Sequence, residues 1–352
     1  MQKIYFIIQF LIISLVFFHE TLFSQDIEIT SEGEVRSFKI NLPDDTNEPL
    51  PLIILMHGLG ETNSNMYGVA NYFSNRNFIA IRPQSGSYLN SSGSGYTTLW
   101  NALADTQKLD DVQFISDLID YMLVNYDFVD HDRIYAAGFS NGGYMTYRLS
   151  CDLSNRITAF GSVAGNMYLI DDGYDCTDQG RDIPIIHIHG TGDTFNPYYP
   201  GGYGVFGDDI IGDQYLTIGE SIDFWSEHHQ YNATEVDTIL SDVSIKYTYS
   251  NDSLTSNFVH IKAENGGHIW FYGDSWGFSS TQEILDFSSQ YKLSDFIVNI
   301  EDTNNDGLFN FEDINTVVDR VFSPELDDIG YDLNSDNHTD VFDILILSDL
   351  IF

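Results

Sequence analysis

Three residue types that together perform acyl transfer occur in this chain in a usable order: Ser140, then Asp193, then His268. Ser140 lies in Gly138-Phe139-Ser140-Asn141-Gly142-Gly143. The stretch Arg133–Ala137 before it has the pattern of a short buried strand, and Tyr144–Leu149 after it reads as a helix start. Strand, G-x-S-x-G, helix is the layout of a nucleophile elbow. Glycine is required on either side of the serine because neighbouring backbones approach closely at so sharp a turn. A hydroxyl is a poor nucleophile until a base takes its proton and a third group fixes the tautomer of that base.

His268 is the best of the ten histidines for the base, because it follows a strand inside the Gly-rich loop Glu264-Asn265-Gly266-Gly267. His187 falls inside a strand pattern and reads as a core residue, and His189, at the end of that strand, reads as a supporting one. His57 reads as structural, holding the turn in which it lies. Asp193 follows the same strand as His189 and is the best acid, ahead of Asp182 and Asp208. Two backbone N–H groups should receive the developing oxyanion: that of Asn141, next to the nucleophile, and that of Leu59 in His57-Gly58-Leu59-Gly60.

The elements that must position these groups alternate. Residues 25–50 carry period-2 patterning and predict an antiparallel hairpin. Leu52–Met56, Phe78–Pro83 and Ile183–Ile188 are apolar runs suited to strands covered on both faces. Asp111–Leu123 has apolar residues at helical spacing, and Ile218–His229 and Thr281–Tyr291 also read as helices. Ser244–Ser250 and Phe258–Lys262 read as paired strands, and Pro83–Tyr96 as a surface loop. The expected class is α/β, a mostly parallel sheet covered by helices.

The 352 residues suit about two domains. The 14 Lys+Arg against 53 Asp+Glu give a net charge of −39, which argues against nucleic acid and anionic membranes as partners. Residues 1–24 resemble a secretory signal, with Lys3 ahead of the apolar run Ile4–Phe18; an uncleaved anchor is the alternative. The mature chain is expected to be secreted, with no membrane contact after cleavage. In an exported protein Cys151 and Cys176 would pair, two free buried thiols being the alternative.

The tail, residues 295–352, repeats one pattern at an offset of 30. Asp302, Asn304, Asp306, Asn310 and Asp313 fall at positions 1, 3, 5, 9 and 12 of a calcium loop, with Gly307 at the sharp turn and Leu308 placed to give its carbonyl. Asp332, Asn334, Asp336, Asp340 and Asp343 repeat the spacing, with His338 at the carbonyl position. An apolar helical segment follows each loop, 311–322 and 341–352.

Taken together, His57-Gly58, the elbow at 138–143, Asp110-Asp111-Val112-Gln113-Phe114, His189-Gly190-Thr191-Gly192-Asp193 and Gly266-Gly267-His268-Ile269-Trp270 resemble the secreted esterases of carbohydrate esterase family 1. That family includes feruloyl and acetylxylan esterases, and polyhydroxybutyrate-depolymerase-like proteins are similar. The resemblance implies an α/β-hydrolase fold over residues 25–294 and a serine esterase needing no cofactor for chemistry. It places Tyr198 and Trp270 in the acyl pocket, with ordinary aromatic packing as the alternative. It departs from the family at Leu59, often Cys there, and at Phe271, often Pro. The tail resembles a type I dockerin, a small all-α calcium-binding domain, which implies a cohesin-type scaffold partner, with a calcium-locked module serving stability or cell-surface retention as the alternative. Esters on polysaccharide are the expected substrates, polyhydroxyalkanoate or another polyester the alternative, and a non-catalytic binding component the alternative of another class.

Overall fold

In a computed structural model, residues 26–89, 93–103, 105–168, 176, 181–199, 216–228, 233–251, 256–273, 275–296, 311–321 and 344 are described. The chain divides into two compact units, Met1–Leu293 and Ser294–Phe352.

The strands of the first unit are β1 (Ile27–Ser31), β2 (Glu34–Asn41), β3 (Leu50–Met56), β4 (Ile79–Pro83), β5 (Gly86–Leu89), β6 (Tyr96–Leu99), β7 (Val129–Phe139), β8 (Ala159–Val163), β9 (Ile185–Gly190), β10 (Ala233–Ser241), β11 (Ser244–Ser250) and β12 (Asn257–Ala263). Its helices are α1 (Tyr67–Ser74), α2 (Asp111–Asn125), α3 (Asn141–Asp152), α4 (Ile218–His228) and α5 (Ser280–Ser288). Ten strands form one sheet in the order β1-β2-β4-β3-β7-β8-β9-β12-β11-β10. The centre, β4 to β12, is parallel. Both flanks are antiparallel.

Every residue of β3 is buried, as the unbroken apolar run requires for a strand covered on both sides. Leu52, Ile54 and Met56 join the cluster formed with the α2 stripe Phe114, Ile115, Leu118, Ile119 and Met122. Ile53 and Leu55 project to the other face and are equally buried. The start of α2 is set by Asp110, whose carboxylate accepts the N–H groups of Val112 and Gln113 at 2.9 and 3.1 Å, a cap of about 1 kcal/mol. The next residue, Asp111, is buried against Arg36 of β2 and accepts the N–H of Asn101 at 2.7 Å. The Arg36 guanidinium also lies over the Phe114 ring, 3.9 Å from its centroid. One buried ion pair therefore joins the opening hairpin, α2 and the segment before it.

Cys151 at the end of α3 is disulfide-bonded to Cys176. The segment Pro83–Tyr96, read from sequence as a loop, instead contains β5 and starts β6, a two-stranded hairpin. Helix α1 and strands β8 and β10 also go beyond the sequence reading, and the elbow strand extends from Arg133–Ala137 to Val129–Phe139. Among the described residues no helix is long and apolar enough to cross a membrane. The expected signal at 1–24 lies outside the described residues.

In the second unit, helix α6 (Phe311–Val321) buries Ile314 and Val317, with Val318, Val321 and Ile344 packed on them. Asp302, Asn304, Asp306, Leu308 and Asn310 of the first expected loop, and Asp332, Asn334, Asp336, His338, Asp340 and Asp343 of the second, lie outside the described residues. Asp313 falls on α6.

Asp111→Ala should destabilise the first unit by about 3–5 kcal/mol, because it strands a buried guanidinium. The double change Arg36→Met with Asp111→Leu should recover much of that loss. Urea unfolding of the two variants checks both statements.

Candidate active site

The C-terminal ends of β3, β7, β9 and β12 carry the turn at 57–60, the elbow, the acid loop and the histidine loop respectively. At the elbow Ser140 has φ 53° and ψ −118°, a conformation that L residues seldom adopt and that costs roughly 1–3 kcal/mol. It is held by the Ser140 N–H donating to Val163 O of β8 at 2.9 Å and by Tyr144 N–H donating to Ser140 O at 3.0 Å. A Cβ on Gly142 would fall 2.3 Å from Met56 O, so only glycine lets α3 start against the end of β3.

The acid and histidine loops are tied to each other by backbone contacts. Thr191 N–H donates to Ala263 O and Gly192 N–H to Gly266 O, each at 2.9 Å, and Asn265 N–H donates to Thr191 Oγ1 at 2.8 Å. The parallel β9–β12 register, His187 opposite His260, delivers both loops to the same place.

The outcome is a connected set of three side chains. His268 Nε2 lies 2.9 Å from Ser140 Oγ, and His268 Nδ1 lies 2.7 Å from Asp193 Oδ2. The other oxygen of Asp193 accepts the N–H groups of Phe195 and Asn196 at 2.8 and 2.9 Å. Burial pushes the Asp193 carboxyl up, but hydrogen bonds from His189 and His268 outweigh it and hold the group well below the usual carboxylate range. The His268 ring sits against Phe139 and Phe195, with centroids at 5.0 and 5.1 Å.

Leu59 and Asn141 sit on facing segments. Asn141 opens α3, so its N–H has no partner within the helix. In the turn after β3, Gly58 N–H donates to Glu61 Oε2, Gly60 N–H to Thr98 O and Glu61 N–H to Gly58 O; the Leu59 amide is outside this set. His57 fixes the turn from inside. Its Nδ1–H donates to Gly58 O at 2.8 Å, and its Nε2 accepts from Ser85 N–H at 3.3 Å. Desolvation lowers its pKa to about 4, so the ring is neutral.

Trp100 joins the two segments, and nothing in the local sequence marked it. Its N–H donates to Asn141 Oδ1 at 2.7 Å, its carbonyl accepts from Asn141 Nδ2 at 3.2 Å, and its indole N–H donates to His57 O at 2.9 Å. The β5–β6 hairpin that leads to it is bonded to the turn through Thr98. Trp270 is buried and donates its indole N–H to Thr281 of α5 at 2.9 Å. Tyr198 hydrogen-bonds His260 Nε2 at 2.8 Å. His187 and His260 are also buried, His260 with its pKa lowered to about 3 by desolvation and His187 lowered well below 6.5 for the same reason.

Comparison with known proteins bears on the fold. A family model described as phospholipase/carboxylesterase matches residues 38–202. The fold is that of the α/β-hydrolases. The acetyl xylan esterase from Aspergillus awamori aligns with a TM-score of 0.52 at 17% identity, covering 76% of this chain and 100% of that one. The bifunctional acetylxylan esterase/xylanase XynS20E of Neocallimastix patriciarum is 28% identical over 168 residues, 46% of this chain and 22% of that protein. Feruloyl esterase B of Piromyces equi is 37% identical over 103 residues, 29% of this chain and 19% of that protein. The chain thus spans about a fifth of the length of these two relatives. Each of these proteins is named as an esterase.

The neutral histidines make folding sensitive to acid. His57 takes up its proton near pH 6.5 when unfolded but only near pH 4 when folded, so the unfolded chain binds more protons between those values. Stability should be fully present above pH 6.5 and fall on acidification towards pH 4, by on the order of 3 kcal/mol from His57 alone. Thermal unfolding across that range should show the decline, and His57→Gln should flatten part of it.

Proposed function

We propose that the chain is a secreted serine esterase that hydrolyses acyl or feruloyl esters on polysaccharide. The observation that carries the reading is the unbroken contact from Ser140 Oγ through His268 to Asp193, at 2.9 and 2.7 Å. Ser140 Oγ attacks the ester carbonyl and its proton passes to His268 Nε2, while Asp193 accepts the Nδ1–H and stabilises the imidazolium. The amides of Asn141 and Leu59 hold the oxyanion of the tetrahedral intermediate. Collapse expels the alcohol, which takes the proton from His268. Water then gives a proton to His268 and attacks the acyl-enzyme, and the acid leaves as Ser140 regains its hydrogen.

The polysaccharide assignment rests on the acetylxylan and feruloyl esterase relatives and on the apolar rim. Phe195 lies on the His268 ring and is partly exposed, and Ile269 and Tyr272, which follow His268 in the chain, are exposed. Such a surface suits an acyl or aryl group seated beside the histidine. The C-terminal unit is proposed to be a dockerin-like module with two calcium loops and a cohesin-type partner. Its donors are carboxylate, amide and carbonyl oxygens, the set a hard cation takes, and the buried stripe of α6 has the form of a helix following such a loop.

Ser140→Ala should lower kcat by roughly 10⁴–10⁶. A panel of methyl ferulate, acetylated xylan and hydroxybutyrate oligomers, assayed with parent and variant, tests both the chemistry and the substrate class. Turnover unchanged in the variant, or absent from the parent, counts against the reading; preference for the oligomers would make it a polyester hydrolase.

Chelation should lower the unfolding temperature of the C-terminal unit and leave ester turnover unchanged, with calcium restoring the first. Calorimetry with and without chelator reads the effect.

A further inference from the structure

A column of side chains runs from α3 to Asp193. At its far end the Tyr147 hydroxyl, buried, lies 2.6 Å from His187 Nδ1. His187 Nε2 lies 3.1 Å from His189 Nδ1. His189 Nε2 lies 2.9 Å from the Asn196 carbonyl and 3.3 Å from Asp193 Oδ2, the oxygen that also meets His268. The two imidazoles share one face of β9 because residues two apart in a strand project to the same side, and their planes are 14° apart.

The direction of donation follows from the acceptor-only end. A carbonyl and a carboxylate only accept, so His189 Nε2 carries hydrogen. A neutral His189 then has a bare Nδ1 and accepts from His187 Nε2–H. That leaves His187 Nδ1 bare, and the Tyr147 O–H donates to it. Burial disfavours the charged form of His187.

We propose that Tyr147, His187 and His189 form a one-way hydrogen-bond column in which His189 is a positioning residue: its Nε2–H, bonded to the Asn196 carbonyl at 2.9 Å, is shared with Asp193 Oδ2 at 3.3 Å as a second, longer donor. The inference rests on the reading of Asp193 as the partner of His268. With this donor in place both carboxylate oxygens are held, Oδ1 by two amides and Oδ2 by two imidazoles, so the carboxylate cannot rotate away from His268. The donor also draws charge from Oδ2 and moderates its pull on the His268 proton.

The other titratable groups around the column have partners of their own. His260 of β12 has Nδ1 3.2 Å from His187 O and Nε2 2.8 Å from the Tyr198 hydroxyl. Tyr247 of β11 stacks on His260. Lys262 of β12 pairs with Glu264 at 3.0 Å.

Three variants of the full chain test the column. His189→Phe removes the donor, His189→Gln keeps an N–H near the same place, and Tyr147→Phe removes only the first hydroxyl. In His189→Phe, kcat should fall roughly tenfold with KM unchanged, a fraction of what a general base contributes. The acid limb of kcat/KM should move to higher pH, because an Oδ2 with one donor fewer holds the imidazolium more strongly. The proton resonance between Asp193 and His268 should move downfield. His189→Gln should restore both positions, and Tyr147→Phe, which conserves the ring, should move them in the same direction by less. If limb and resonance stay put in His189→Phe, or if His189→Gln is as altered as His189→Phe, the column has no positioning role. The resonance does not depend on turnover: a chain without ester hydrolysis sinks the esterase reading, while the resonance still decides the column.

Discussion

The close approach of the elbow to the end of β3 is the constraint on which the site depends. No side chain fits between Gly142 and the carbonyl of Met56, so the start of α3 and the turn at 57–60 sit directly against each other. That contact brings the amides of Leu59 and Asn141 onto facing segments. It also puts Ser140 in a strained conformation that its neighbours must over-determine. The bonds from Val163 to the Ser140 amide, and from Trp100 to Asn141 and His57, do this. The hairpin β5–β6 belongs to the same device, since it carries Trp100 and is bonded to the turn through Thr98.

The second half of the site is polar and buried, which is costly unless every group finds a partner. His57, His187 and His260 meet that condition as neutral rings, each with both nitrogens engaged. Asp193 meets it as an anion with donors on both oxygens. Burial alone would favour a protonated carboxyl and an inert site. The contacts with His268 and His189 reverse that sign, and the carboxylate stays charged beside His268.

Much of this was legible in the chain because it is local. Gly138 and Gly142 around Ser140 announce a turn with crowded backbone, and the apolar runs that end at His57, Gly138 and His189 announce where strands stop. The two loops that carry Asp193 and His268 each follow such a run. The rest was not legible because it is made by distant partners. Trp100 acts through contacts 41 and 43 residues away. The stretch 86–99 is rich in Ser, Gly and Tyr and has the composition of a loop; β5 and β6 become strand by pairing with each other, and Thr98 ties them to the turn at 57–61. Asp111 looked like a helix opener, and its burial against Arg36 of β2 has no trace in spacing. The alternation His187-Ile188-His189 did place both histidines on one face, and that was the available signal for the column behind Asp193.

The most direct measurement is covalent capture of the nucleophile. Incubation with a fluorophosphonate, followed by intact mass and peptide mapping, should give one adduct per chain on Ser140, with labelling slowed severely in His268→Ala. An unlabelled Ser140, or an adduct on another serine alone, would contradict the account.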